Sequence, residues 1–182
     1  MDIFLVRHGE AAASWAQSSD TGLSKLGKRQ AVLAAQHLHP DIHDDVQLLS
    51  SPLARARETA APLADKLGLA VQLEDVFREI PSPVPLAQRQ TWLREFMQQS
   101  WQDQPQDLLA WRTAAWQYVL DFDRPSVVFT HFLVINAIVG QVMEHPKTLC
   151  FMPDNASITR LRHTGAGLEL VALGKEMETI VN

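Results

Sequence analysis

The chain has 182 residues, 46% hydrophobic and 20% charged, with 8 Gly and 10 Pro; this is globular usage and excludes collagen-like, coiled-coil and disordered classes. Sixteen basic against twenty-one acidic side chains leave a formal charge of -5 with no lysine-rich run, which argues against nucleic acid as a partner. The expectation is a single domain over residues 1–182 that buries roughly 70% of its unfolded surface.

Ile3-Phe4-Leu5-Val6 is a short, wholly apolar run, suited to a strand covered on both faces in a parallel sheet. No basic leader precedes it, and no apolar stretch reaches the roughly 18 residues of a membrane span, so a cytoplasmic protein without a membrane partner is expected. A helix from Ser24, its N-cap, runs toward Pro40. Val46 to Ser50 is a second strand. Ser51 then supplies an N-cap and Pro52 the first position of a helix ending at Gly68. Residues 69–73 form a further strand, and Pro81, Pro83 and Pro85 enforce an extended loop.

Residues 86–121 read as two helices broken near Pro105 and carry four of the five tryptophans, which suggests an inserted helical cap. Ser126 to Thr130 restores the buried-strand pattern, and an apolar helix follows from Phe132 to Met143. The tail reads as a hairpin, 157–162 and 168–173, joined through Gly165-Ala166-Gly167. The fold class is therefore α/β: three layers, α/β/α, around a central, mostly parallel sheet.

Ligands of an open α/β sheet bind beyond the carboxyl ends of its strands. Three of the predicted strands end there in Arg7-His8-Gly9, Ser50 to Arg55, and Thr130-His131. Two arginines and two histidines brought to one edge make a cationic pocket suited to a phosphoryl group, and hence to a phosphorylated small molecule. Arginine grips oxygens with a planar fork, while an imidazole can take up the phosphoryl group and release it to water. Cys150 has no cysteine partner and no arginine shortly after it, so neither a disulfide nor a cysteine-phosphate cradle is expected. Arg57 points away from Arg55 along the helix. His37, His39 and His43 straddle a helix end without ligand geometry, so no metal is expected. Glycine spacing at 165–167 does not match a dinucleotide loop, and no cofactor is indicated.

Leu5-Val6-Arg7-His8-Gly9-Glu10, Gly22 to Ala31, and Ser51-Pro52-Leu53-Ala54-Arg55-Ala56-Arg57-Glu58-Thr59-Ala60 together resemble the histidine phosphatase superfamily, the phosphoglycerate-mutase-like fold. The resemblance spans nearly the whole chain. It implies that His8 is a nucleophile forming phosphohistidine, with Arg7, Arg55 and His131 holding the phosphoryl oxygens. It also implies a general acid between the arginine block and the second histidine. Glu79, in Phe77-Arg78-Glu79-Ile80, best fits that segment, with Glu74 and Asp75 as near competitors. Many members place an Asn shortly after the first block. Here the stretch is Ala11-Ala12-Ala13-Ser14, with Ser14 or a water as its substitute at the phosphate, and Phe132 stands where a Gly usually follows the second histidine. The implied activity is a metal-independent phosphomonoesterase. The alternatives are a phosphohistidine phosphatase acting on a phosphoprotein, a phosphoglycerate-type mutase, and a weakly active phospholigand-binding scaffold.

Overall fold

A computed structural model describes residues 1–13, 18, 20–42 and 45–177 of the chain. Strand β1 (Asp2–Arg7) is buried from Ile3 to Val6 and stands inside a six-stranded sheet. The other strands are β2 (Gln47–Ser50), β3 (Val71–Leu73), β4 (Ser126–Thr130), β5 (Ile158–His163) and β6 (Leu168–Ala172), and the spatial order is β3-β2-β4-β1-β5-β6. The first three pairings in that order are parallel and the last two antiparallel, so the tail hairpin lies along one edge of a mostly parallel sheet.

Alternation along β1 decides the layers. Ile3 and Leu5 face one way, into a core shared with Leu49, Val128 and helices α4 (Gln106–Leu120) and α5 (Phe132–Val142). Phe4 and Val6 face the other way, against α1 (Lys25–Leu38) and α2 (Ala54–Leu67) through Ala35, Leu38, Ala60 and Leu63. Helices thus cover both faces, which is why the central strands are apolar throughout rather than alternating.

The helix ends differ in how they are made. Ser24 caps α1 as predicted, its hydroxyl accepting from the Gly27 amide at 3.0 Å. Ser51 does not cap α2. That helix begins at Ala54, two residues after the predicted start at Pro52, and Leu53 occupies the cap position without a side-chain bond. The Ala54 amide donates instead to Asp20 Oδ1 at 2.6 Å. Gly68 closes α2 in the left-handed conformation at φ 67°, where glycine carries no Cβ penalty.

The segment 86–121 divides in two. Helix α3 (Arg89–Phe96) and the turns around it are anchored on α5 through Ile80, Phe96, Trp101, Leu108, Leu133 and Ala137. Helix α4 belongs to the main helical layer, with Ala115 and Val119 fully buried among sheet residues. Between them lie a one-turn helix at Trp101–Asp103 and an isolated pairing of Ser100 with Lys147, so the break near Pro105 is wider than a single kink. Among the described residues, no helix is long and apolar enough to cross a membrane.

Candidate active site

Strand register brings the first functional side chains together. Arg7 pairs with Thr130 across the parallel β1–β4 ladder, and Ser50 with Phe129 across β2–β4. The ladders run one residue further: the His8 amide donates to Thr130 O at 3.0 Å and the Ser51 amide to Phe129 O at 2.9 Å. His8, His131 and Ser51 therefore leave three adjacent strand ends side by side. The two imidazoles meet edge to face with centroids 5.2 Å apart.

His8 is held in one tautomer from both sides. Its Nδ1 lies 2.7 Å from Gly9 O, and a carbonyl only accepts, so Nδ1 carries the hydrogen. The Nε–H of Arg55 donates to Nε2 of the same ring at 3.1 Å, which requires a lone pair there. Burial, followed by the Arg55 and Arg7 charges, drives the His8 pKa down to about 3. The ring is accordingly neutral at physiological pH, with its lone pair aimed at the guanidinium.

Arg55 is brought in by the first turn of α2 and is only 3% exposed. Its carbonyl accepts from Thr59 Oγ1 at 2.7 Å, and that oxygen in turn accepts from the Gly9 amide at 3.0 Å, so α2 also fixes the loop leaving β1. Arg7 donates from Nη1 to Pro153 O at 2.8 Å, and its guanidinium lies 5.2 Å from the centre of the Phe132 ring. The nitrogen Arg7 Nε is buried with no hydrogen-bond partner among the described residues. Burial lowers the Arg7 pKa to about 10, against the opposing pull of Glu79 and Asp154; the group stays charged near neutrality.

Glu79 reaches the same cavity from the loop after β3. Thr130 Oγ1 donates to Phe77 O at 2.9 Å and pins that loop across the end of β4, and the side chains of Phe77 and Ile80 are fully buried on either side of Glu79. The carboxylate accepts from the amides of Ile80 at 3.0 Å and Leu133 at 3.4 Å. Burial raises its pKa, partly offset by those amides and by Arg55 and Arg7.

His131 is completely buried and precedes α5. Its Nε2 sits 2.8 Å from Ser51 Oγ, and Nδ1 is buried without a partner among the described residues. Burial first, then the neighbouring His8 and arginines, pushes its pKa well below the ordinary value. The hydroxyl of Ser51 thus serves this ring, and it also accepts from the amide of Leu53 at 3.3 Å without occupying the cap position of α2.

The cavity is about 480 Å³ and its wall includes Arg7, His8, Arg55 and Glu79. His131 stands beside His8 but is not part of that wall. Ser14, Trp15 and His43 lie outside the described residues. Glu10 is structural: Oε1 accepts from Ser24 Oγ at 2.5 Å and its amide donates to Gln30 Oε1 at 2.8 Å. Among the described residues, no group of three or more His, Cys, Asp or Glu side chains converges as a metal cluster.

Sequence reasoning did not find Asn155 or the methionines Met97, Met152 and Met177 at the cavity. The loop holding Asn155 is tied to β1 by the Ala156 amide on His8 O at 3.2 Å and the Arg7 amide on Ser157 O at 3.1 Å. The turn-forming Asn155-Ala156-Ser157 string was the signal available for it.

Residues 3–176 match the model of a family described as the histidine phosphatase superfamily (branch 1). The probable phosphoglycerate mutase GpmB of Yersinia enterocolitica is 36% identical over 84 residues, 44% of this chain. That match spans only 38% of the relative's own length. A mycobacterial glucosyl-3-phosphoglycerate phosphatase, solved with VO3, superposes with a TM-score of 0.70 at 25% identity, covering 97% of this chain and 99% of the other. A phosphoserine phosphatase from Entamoeba histolytica, solved with 3-phosphoglyceric acid, is alike in fold, with a TM-score of 0.77 at 22% identity over 97% and 98% of the two chains.

Proposed function

The chain belongs to the histidine phosphatase superfamily, and from that premise we propose that it is a metal-independent phosphomonoesterase working through phosphohistidine at Nε2 of His8. The observation that carries the reading is the doubly fixed imidazole. Nδ1 donates to Gly9 O while Nε2 keeps its lone pair toward Arg55, so the nucleophilic nitrogen is defined before substrate arrives. The depressed His8 pKa keeps that lone pair free of a proton.

In the first step Nε2 attacks phosphorus in line with the ester oxygen. The N–P bond forms as the P–O bond breaks, and the leaving alkoxide takes a proton from the carboxyl of Glu79. A raised Glu79 pKa favours the protonated form that this step needs. In the second step water attacks the phosphohistidine and gives its proton to the Glu79 carboxylate, which restores neutral His8 and releases phosphate. Arg55 and Arg7 supply the positive charge for the equatorial oxygens. The unpartnered Nδ1 of His131 supports a role for that ring at the same group. Ser14 is read as a further phosphate contact.

The domain reading is a single unit over 1–182, with α3 rather than the whole of 86–121 standing at the cavity mouth, as the positions of Leu93 and Met97 support. A cytoplasmic location fits the unpaired Cys150.

The test is turnover of phenyl phosphate with a chelator present, together with acid quenching during turnover. Turnover and an acid-labile protein phosphate, both lost in His8→Ala, are expected. Turnover that survives His8→Ala, or that stops on chelation, overturns the reading.

A further inference from the structure

The cavity divides by chemistry. Its inner end carries the cations Arg7 and Arg55 and the buried Glu79 carboxyl beside His8. The rest of the wall is largely Leu93, Met97, Phe132, Leu133, Met152 and Met177. These side chains come from separate parts of the fold. Leu93 and Met97 are four residues apart, on one face of the end of α3. Phe132 and Leu133 open α5. Met152 and Met177 are joined by a backbone bond from the Met177 amide to Met152 O at 2.8 Å. Phe132 also packs over the Arg7 guanidinium, so the apolar wall begins at the cation itself.

Resting on the phosphatase reading above, we infer that the preferred substrates are monoesters of apolar alcohols or phenols, alkyl and aryl phosphates, rather than phosphorylated hydroxy acids. A hydroxy acid would bring a second anion. Among the described residues that line the cavity, Arg7 and Arg55 are the cations, and both stand at the phosphoryl end. The other ionisable groups there, His8 and Glu79, add no positive charge: the imidazole is neutral and the carboxyl is protonated for the first step, so no lining cation is left for a second anion. An apolar leaving group, by contrast, removes its own surface and that of the wall from water. The unbranched, polarisable methionines accommodate leaving groups of different shape. At about 480 Å³ the cavity is within the range of small-molecule sites and holds one such ester.

The test uses non-hydrolysable n-alkylphosphonates from methyl to hexyl, with affinity for the wild-type protein measured by calorimetry beside turnover of phenyl phosphate. Affinity is expected to rise roughly two- to fourfold per methylene until the wall is covered. Met152→Lys, at an exposed position, is expected to flatten that rise and improve 3-phosphoglycerate relative to hexyl phosphate as substrate. A flat phosphonate series, or a wild-type preference for 3-phosphoglycerate, overturns the inference. The two readings fail separately: a rising series without any phenyl phosphate turnover sinks the catalytic assignment alone, while turnover with a flat series sinks the apolar subsite alone.

Discussion

The Nε–H of Arg55 donates to the Nε2 lone pair of His8 at 3.1 Å, so a guanidinium stands at the nitrogen that the proposed mechanism uses for attack. In that mechanism phosphorus takes over the lone pair, and the guanidinium beside it would offer its other nitrogens as a planar fork to the equatorial oxygens. Arg55→Lys keeps the charge and loses the fork. It is expected to lower kcat by about 10²–10³ while the phosphohistidine still forms at His8. An Arg55→Lys enzyme as fast as wild type in steady-state phenyl phosphate assays would show that positive charge alone suffices and that the fork contributes nothing.

Acid should destabilise this fold through the same ring. Unfolded His8 binds a proton near its ordinary 6.5 and folded His8 only near 3, so between those pH values the unfolded chain carries more protons. The contribution of His8 is therefore complete above pH 6.5 and declines as pH falls toward 3, by a few kcal/mol in all. His131 acts in the same direction because its pKa is also depressed. Glu79 has the opposite sign: its raised pKa gives a contribution that is lost as pH rises through it. Urea unfolding of wild type and His8→Asn at pH 7 and pH 5 isolates the histidine. Wild type is expected to lose more stability on acidification, and equal losses in the two proteins refute the linkage.

Glu79→Gln separates proton donation from charge. Formation of the phosphoenzyme from an alkyl phosphate needs a proton on the leaving oxygen, whereas nitrophenolate leaves readily without one. The expected loss in kcat/KM is about 10²–10⁴ for the alkyl ester and much smaller for nitrophenyl phosphate. For the wild type, kcat/KM on the alkyl ester should fall as pH rises through the raised Glu79 pKa, because the acid form is the active one. Equal losses on both leaving groups would move the acid to another residue.

Much of this site was legible because its residues follow apolar strands. Arg7-His8 and Thr130-His131 could be placed at one sheet edge from strand ends alone, and β1 and β4 are indeed neighbours, with Arg7 paired to Thr130. Ser51 was misread, since Ser-Pro is a strong local helix-start signal; the tertiary partner of its hydroxyl, His131, lies 80 residues away. The apolar mouth was invisible for the same reason: Leu93, Met97, Met152 and Met177 have no common pattern in sequence and meet only through packing. The tryptophans of helix α4 carry no signal of which layer it joins. Its contacts with the sheet, through Ala115 and Val119, are set by packing.

Ser51→Ala tests whether that hydroxyl positions the second histidine. Removal leaves a completely buried ring nitrogen without its bond, a loss of about 1–3 kcal/mol in stability. A purely structural role would leave the pH profile unchanged. A positioning role predicts that kcat falls with KM nearly constant, that the profile shifts, and that Ser51→Thr restores both. Rescue by threonine of stability alone would contradict it.

Gly27 is the point at which α1 touches the loop leaving β1, and a single methyl there tests how far that loop depends on close packing. A Cβ on Gly27 would lie 2.1 Å from Glu10 O and 2.9 Å from Glu10 N, both rigid backbone atoms. Ser24 Oγ holds the two segments together by binding the Gly27 amide and the Glu10 carboxylate, so neither can withdraw freely. Alanine would gain about 1 kcal/mol in helix propensity, yet the overlap forces a backbone shift costing about 1–3 kcal/mol. Because Glu10 is two residues from His8, the shift reaches the proposed nucleophile. Gly27→Ala is expected to be less stable in urea and slower on phenyl phosphate, while Lys28→Ala, on the exposed side of the same turn, stays within about 0.5 kcal/mol of wild type. A Gly27→Ala protein that gains stability and keeps full activity would show that the contact yields without strain.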